Sequence, residues 1–174
     1  MKADEFPTLE GYQLVALGEA DVANLQRLQE RCADFKTLVT GAAPGPEAAA
    51  ELLAAAPPGL PLERKQVIGV LASGDLVGAI DLLRDFPEDR TWYLGLMMLA
   101  PEARGGGLGT RLYGALTAWV ADCGGERIRL VVQRQNPRAL AFWTRMGFEQ
   151  IGTATQQLSD SEHEVLRMEH RLPV

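Results

Sequence analysis

The residues with the clearest chemical potential form a glycine-rich segment, residues 104–109, with the sequence Arg-Gly-Gly-Gly-Leu-Gly. A strand-like apolar run precedes the segment, and apolar residues at helical spacing follow it. The first turn of a helix has free backbone N–H groups and the positive end of the helix dipole. Glycines leave no side chains to keep an anion away from those groups. The segment therefore predicts a phosphate or pyrophosphate site, to which Arg104 adds a charge-assisted contact.

Three kinds of phosphate-binding loop can be compared with this segment. A Walker loop ends in Gly-Lys-Ser/Thr, whereas Gly109 is followed by Thr110 and Arg111. A Rossmann fingerprint reads Gly-x-Gly-x-x-Gly, and Thr110 stands where its third glycine belongs. The pattern Arg-x-x-Gly-x-Gly fits in full, at Arg104, Gly107 and Gly109.

A mixed sheet with helices on both faces is predicted to position the loop. The expected order is β-α-α-β-β-β-α-β-α-β-β. Strands are predicted at residues 12–17, 66–72, 76–83, 91–99, 127–133, 148–158 and 163–172, the last two joined by a turn at Ser159-Asp160-Ser161. Helices are predicted at residues 21–33, 47–56, 108–123 and 137–146. Asp21 is expected to cap the first helix and Asn136 the last.

A second motif lies downstream of the loop. It runs Asn136-Pro137-Arg138-Ala139-Leu140-Ala141-Phe142-Trp143, followed by Met146-Gly147-Phe148. Together with residues 99–109 it resembles the coenzyme A-binding segments of the GNAT superfamily of acetyltransferases, in the same order and at a similar separation. The element order fits too, so the resemblance covers nearly the whole chain.

The resemblance implies both a fold and a cofactor. The fold is an α/β domain spanning residues 1–174, with a mostly antiparallel six- to seven-stranded sheet. Its two parallel strands, residues 91–99 and 127–133, splay apart to admit acetyl-CoA. The pantetheine arm would pair with the first of these strands, and the pyrophosphate would lie on the glycine loop. The implied cofactor-binding residues are Met97, Met98, Leu99, Arg104, Gly105, Gly106, Gly107, Leu108, Gly109, Thr110, Asn136, Ala139, Phe142 and Trp143.

The implied reaction is direct attack of a primary amine on the thioester, with the backbone N–H of Leu99 stabilising the oxyanion. The amine must first lose a proton. The family often has a carboxylate on the strand before the loop, but here Tyr93 is the only titratable side chain in that strand. Asp81 and Glu102 are the other candidate bases, and each also has an ordinary structural explanation. Trp143 replaces the family's usual tyrosine acid, and its indole cannot supply a proton at neutral pH.

Two functions remain open at this point. The first is an N-acetyltransferase acting on an amine of a small molecule or a protein. The second is a non-catalytic acyl-CoA-binding or sensing module, suggested by the missing tyrosine and carboxylate. Release of thiol in the presence of amines separates the two.

The composition of the chain indicates which kinds of partner and which cellular compartment to expect. The formal charge is −6, which disfavours nucleic acid and anionic membranes and weakly favours a cationic acceptor. There is no apolar run of about 18 residues, so no membrane span is expected. Two cysteines and two histidines predict no metal site. A cytoplasmic monomer or homodimer is expected.

Overall fold

A computed structural model describes residues 5–158 and 161–173 of the chain. Within these ranges, seven strands form one sheet in the order β1-β2-β3-β4-β5-β7-β6. The strands are β1 Gln13–Ala16, β2 Lys65–Ala72, β3 Asp75–Arg84, β4 Thr91–Leu99, β5 Arg127–Gln133, β6 Glu149–Leu158 and β7 Ser161–Arg171. The helices are α1 Val22–Arg31, α2 Ala33–Thr40, α3 Ala48–Ala54, α4 Leu108–Asp122 and α5 Pro137–Arg145. Strands β4 and β5 run parallel and the other neighbours are antiparallel, which confirms the mixed, mostly antiparallel sheet.

The centre of the sheet is covered on both faces. Every residue of β3 from Val77 to Leu83 is buried, although successive side chains point to opposite faces. One cover is α4, whose Trp119 packs edge-on against Trp92 of β4 with ring centroids 5.1 Å apart. This burial confirms the prediction of a sheet with helices on both faces.

The connection between β1 and β2 differs from the prediction. The helix expected at residues 21–33 ends at Arg31, and a separate helix, α2, begins at Ala33. Cys32 interrupts the helical geometry between them, at φ −98° and ψ 27°. Asp21 is the N-cap residue of α1, as predicted, but its carboxylate accepts a hydrogen bond from the Gly18 N–H at 2.9 Å and makes no capping bond to α1. The predicted turn at residues 159–161 falls largely outside the described residues.

A bulge bends β4 where the two parallel strands separate. Leu82 of β3 faces Leu94, while Asp81 faces Leu96, so that Gly95 is an extra residue in β4. A Cβ atom on Gly95 would lie 3.0 Å from Oδ2 of Asp81, so the close approach of this carboxylate favours glycine. The bend lies just beyond Tyr93, the last residue of β4 that pairs with β5.

Candidate active site

A cleft opens between β4 and β5 because the strands pair only over their first three residues, Thr91 to Tyr93 with Arg127 to Arg129. Its volume is about 160 Å³. The lining residues come from five elements: Leu94, Gly95, Leu96 and Met97 of β4; Leu130, Val131, Val132 and Gln133 of β5; Phe35 and Val39 of α2; Asn136, Ala139 and Trp143 at the cap and within α5; and Gln156 of β6. All of these side chains are uncharged.

One edge of β4 turns backbone groups toward the divergence and away from β3. Just after β4, the Ala100 N–H donates to the carbonyl of Val77 in β3, at 2.8 Å. Bonded and non-bonded pairs alternate along an antiparallel ladder. Leu99, opposite Gly78, and Met97, opposite Ile80, therefore turn their N–H and C=O groups away from β3. Met97 lines the cleft, and Leu99 lies beyond it toward the glycine loop.

The Arg104 guanidinium closes the end of this edge. Its Nε donates to the Leu99 carbonyl at 2.8 Å, and its two terminal nitrogens donate to the Asp34 carboxylate at 2.6 and 3.2 Å. The hydrogen bond from Arg104 lowers the pKa of Asp34. The Cys32 thiol also approaches the Leu99 carbonyl, at 3.4 Å. The structure thus places the Arg104 side chain between the end of β4 and the start of α2.

The glycine loop leads into α4 as the sequence predicts. Gly105 and Gly107 have φ values of +84° and +81°, in the left-handed region that favours glycine. Gly107 is the N-cap residue of α4, so the N–H groups of the first turn have no carbonyl before them in the helix. Cβ atoms added at Gly105, Gly106 or Gly107 would meet nothing within 4 Å. The three glycines therefore leave open space beside the backbone that leads into the first turn of α4.

Helix α5 supports the other side of the cleft. The Asn136 side chain accepts a hydrogen bond from the Ala139 N–H at 3.0 Å, which confirms the predicted cap. Trp143 lines the cleft, whereas the Phe142 ring packs beside Gly109, where an added Cβ would lie 3.5 Å from it. Phe142 therefore supports the start of α4.

A buried aromatic cluster that sequence reasoning missed lies behind Trp143. The Tyr113 ring packs edge-on against Trp143 at 5.4 Å, and its hydroxyl lies 2.8 Å from Nδ1 of His170. Burial raises the pKa of Tyr113 and lowers the pKa of His170, because both charged forms lose water. These residues are far apart in the chain and belong to no local motif, so no sequence signal identified the cluster.

The structure separates the three candidate bases. Asp81 is 9% exposed and forms an ion pair with Nζ of Lys65 at 2.5 Å. Burial raises the pKa of the Asp81 carboxyl, and Lys65 offsets part of that rise. Burial also raises the pKa of Tyr93, whose ring packs against Phe86. Glu102 is exposed and forms an ion pair with Arg31.

The position of each base candidate relative to the cleft follows from these contacts. Among the described residues that line the cleft, Asp81, Tyr93 and Glu102 are all absent. The Asp81 carboxylate packs against Gly95, which does line the cleft. The sequence did not predict three residues that line the cleft, Phe35 and Val39 of α2 and Gln133 of β5. The local signal for α2 was Gly41, which ends this helix at φ +79°.

Comparison with known proteins identifies the family. The model of the acetyltransferase (GNAT) family matches residues 30–148, and the chain belongs to this family. An uncharacterized N-acetyltransferase of Mycobacterium tuberculosis is 33% identical over 101 residues, which span 58% of this chain and 63% of that protein. The match thus covers less than two thirds of the mycobacterial relative.

Solved structures share the fold. An acetyltransferase from Thermus thermophilus has a TM-score of 0.71 at 22% identity, over 96% of this chain and 100% of its own. A spermidine N-acetyltransferase from Vibrio cholerae, solved with CoA and spermine, has a TM-score of 0.73 at 19% identity, over 94% and 97%. No helix in the described part of the chain is long and apolar enough to cross a membrane.

Proposed function

We propose that the chain transfers an acetyl group from acetyl-CoA to a primary amine, with both substrates bound together. The observation that carries this proposal is the continuity of the open β4 edge with the glycine loop at the start of α4. The first offers backbone donors and acceptors to an extended arm, and the second offers N–H groups to a diphosphate. Acetyl-CoA has both parts, and it supplies an acetyl group activated as a thioester.

The described residues fit this cofactor. Gly105, Gly106 and Gly107 leave open space at their Cβ positions, and the N–H groups of Leu108, Gly109 and Thr110 in the first turn of α4 would bind the phosphate oxygens. The backbone of Met97 and Leu99 would hold the arm, Asn136 and Ala139 would flank it, and Trp143 would pack against it. Met98, which the sequence predicted as a third such residue, is buried and its backbone faces Ala79 of β3, so it would not contact the arm. In this proposal Arg104 acts through Asp34 and Leu99, and the diphosphate is held mainly by backbone groups.

The carbonyl of the acetyl group needs a donor where negative charge develops. The N–H groups of Leu99 and Met97 both face the open edge, and we assign this role to one or both. Met97 stands within the cleft lining, whereas the Leu99 carbonyl is covered by Arg104. In the reaction, the amine nitrogen forms a bond to the acetyl carbon, the carbon–sulfur bond breaks, and the nitrogen loses one proton. This proton is the second that the nitrogen loses, because the ammonium has already given one to the base before the attack. Solvent takes the second proton and protonates the thiolate, since the indole of Trp143 cannot act as the acid.

Asp81 is the base candidate that the geometry supports best. A carboxyl with a raised pKa accepts a proton more readily than an ordinary one, and the missing side chain of Gly95 leaves Asp81 close to the cleft. In this proposal, Asp81 takes the proton of the amine through a water molecule beside Gly95. Glu102 is turned toward Arg31, and Tyr93 remains protonated at neutral pH.

The acceptor is an amine, and the cleft favours one with an uncharged body. The net charge of −6 had suggested a cationic acceptor, but the lining side chains are neutral. A second ammonium group buried there would lose water without gaining a carboxylate partner. Matched amines of equal length, such as pentylamine and cadaverine, test this preference.

The deciding experiment measures thiol release from acetyl-CoA over a panel of amines, together with calorimetry of coenzyme A binding. Binding with amine-dependent thiol release supports the enzyme. Binding without release to any amine supports the alternative, a non-catalytic acyl-CoA-binding module, for which the neutral cleft and Trp143 are the supporting observations. No binding by folded protein would contradict both.

A further inference from the structure

We propose that Asp34 and Gln133 are positioning residues that hold α2 across the mouth of the β4–β5 cleft and thereby set the affinity for the acceptor amine. This inference rests on the proposed function. Side-chain hydrogen bonds, called polar ties below, join the short helix α2 to both diverging strands. We infer that these polar ties, more than packing, fix the position of α2 beside the bound acceptor.

The first tie joins the start of α2 to the end of β4. Asp34 stands in the first turn of α2, and its carboxylate receives both terminal nitrogens of Arg104. The same guanidinium donates to the carbonyl of Leu99, the last residue of β4. A planar guanidinium in this arrangement fixes direction as well as distance. The start of α2 is therefore oriented relative to the open edge of β4.

The second tie joins the end of α2 to β5. Gln133, the last residue of β5, donates its side-chain N–H to the Val39 carbonyl in the last turn of α2. Only 7% of Gln133 is exposed, so this amide has few alternative partners in water. Its Oε1 in turn accepts a hydrogen bond from Gln135 at 3.2 Å. The start of α2 is thus linked to the end of β4 through Arg104, and the end of α2 is bonded directly to the end of β5.

The face of α2 between these ties lines the cleft. Phe35 and Val39, four residues apart, point to the same side of the helix and contribute to the lining. No residue of α2 is buried, so packing holds this helix less firmly than it holds the neighbouring α1, where Leu25 and Leu28 are fully buried. Loss of a polar tie should therefore displace Phe35 and Val39, which stand where an acceptor would lie.

The test compares Asp34→Ala with Glu126→Ala, a control that removes the ion pairs of the half-buried Glu126 with Arg90, at 2.5 Å, and with Arg127, at 3.4 Å, at the opposite end of the two cleft strands. Asp34→Ala should raise the acceptor KM about two- to fivefold, the upper part of the range for an exposed ion pair, and change kcat and the Kd for coenzyme A by less than about twofold. Glu126→Ala should leave all three values unchanged. In a double-mutant cycle with Arg104→Ala, the effects on KM should be non-additive, and Asp34→Asn, which keeps an acceptor for Arg104, should recover part of the loss.

Hydrogen exchange gives a readout that does not depend on turnover. The backbone amides in the last turn of α2 should exchange faster in Asp34→Ala and in Gln133→Leu than in wild type or Glu126→Ala. Unchanged KM and unchanged exchange would overturn the inference, and so would an equal rise in the acceptor KM and in the Kd for coenzyme A. If the wild type released no thiol with any amine, the proposed function would fail, and exchange alone would then decide whether the ties hold α2.

Discussion

The substitution Gly107→Ala tests the backbone strain of the glycine loop without adding steric crowding. Gly107 has a φ of +81°, and a Cβ there would meet nothing within 4 Å, so alanine costs conformational energy alone. A non-glycine residue in the left-handed region costs about 1–2 kcal/mol. Gly106 has the same open surroundings without a left-handed φ. Both substitutions lower the conformational entropy of the unfolded chain to the same extent, which stabilises each variant by about 0.4–1 kcal/mol. Gly107→Ala should therefore be less stable than Gly106→Ala by about 1–2 kcal/mol.

Urea unfolding of the two variants measures this difference, and calorimetry with coenzyme A measures its functional effect. Relief of the strain would rotate the N-cap of α4 and move the first-turn N–H groups, so Gly107→Ala should bind coenzyme A about five- to tenfold more weakly, equivalent to about 1 kcal/mol or more. Equal stability of the two variants would refute the strain argument. Wild-type affinity in both variants would refute the assignment of the loop as the diphosphate site.

Three further predictions concern the side chains around the cleft. Trp143→Ala should raise the Kd for coenzyme A more than it lowers kcat; unchanged affinity with collapsed turnover would assign Trp143 to the chemical step. Asp81→Asn should lower kcat and remove the fall in kcat/KM as the pH decreases through the raised pKa of the carboxyl, measured by thiol release; a retained acid limb would assign proton removal to another group. The lowered pKa of His170 means that the unfolded chain binds more protons between that value and about 6.5, so stability should fall as the pH falls through this window. His170→Gln should flatten this loss in urea midpoints, and an unchanged slope would exclude His170 as its source.

Local signals predicted the strands that form the cleft. Pro101 ends the apolar run of β4, and Gly124-Gly125 separates α4 from β5, so both parallel strands have the predicted bounds. The cap at Asn136 was predicted for the same reason, because an Asn-Pro pair restricts the backbone locally. Information contained in neighbouring residues was therefore sufficient for the frame of the site.

The contacts that organise the site depend on residues distant in the chain. Asp34 and Arg104 are 70 residues apart, and Asp81 meets Lys65 through the register of two strands. Helix α2 was missed because it is only 8 residues long and follows α1 with a break at one residue, Cys32. A loop motif indicates what a segment binds, but the partners of its side chains depend on the tertiary fold.

Strand β7 follows β6 in the chain but lies between β5 and β6 in the sheet. The β5 wall of the cleft therefore gains its second neighbour only when the later strand inserts, with Gln133 opposite Val165 at the cleft end. During synthesis, β4, the glycine loop and α4 emerge first, while β5 keeps an unsatisfied edge until β7 leaves the ribosome. A chain that stalls before β7 would have the residues of the cofactor loop but only one firmly held side of the cleft.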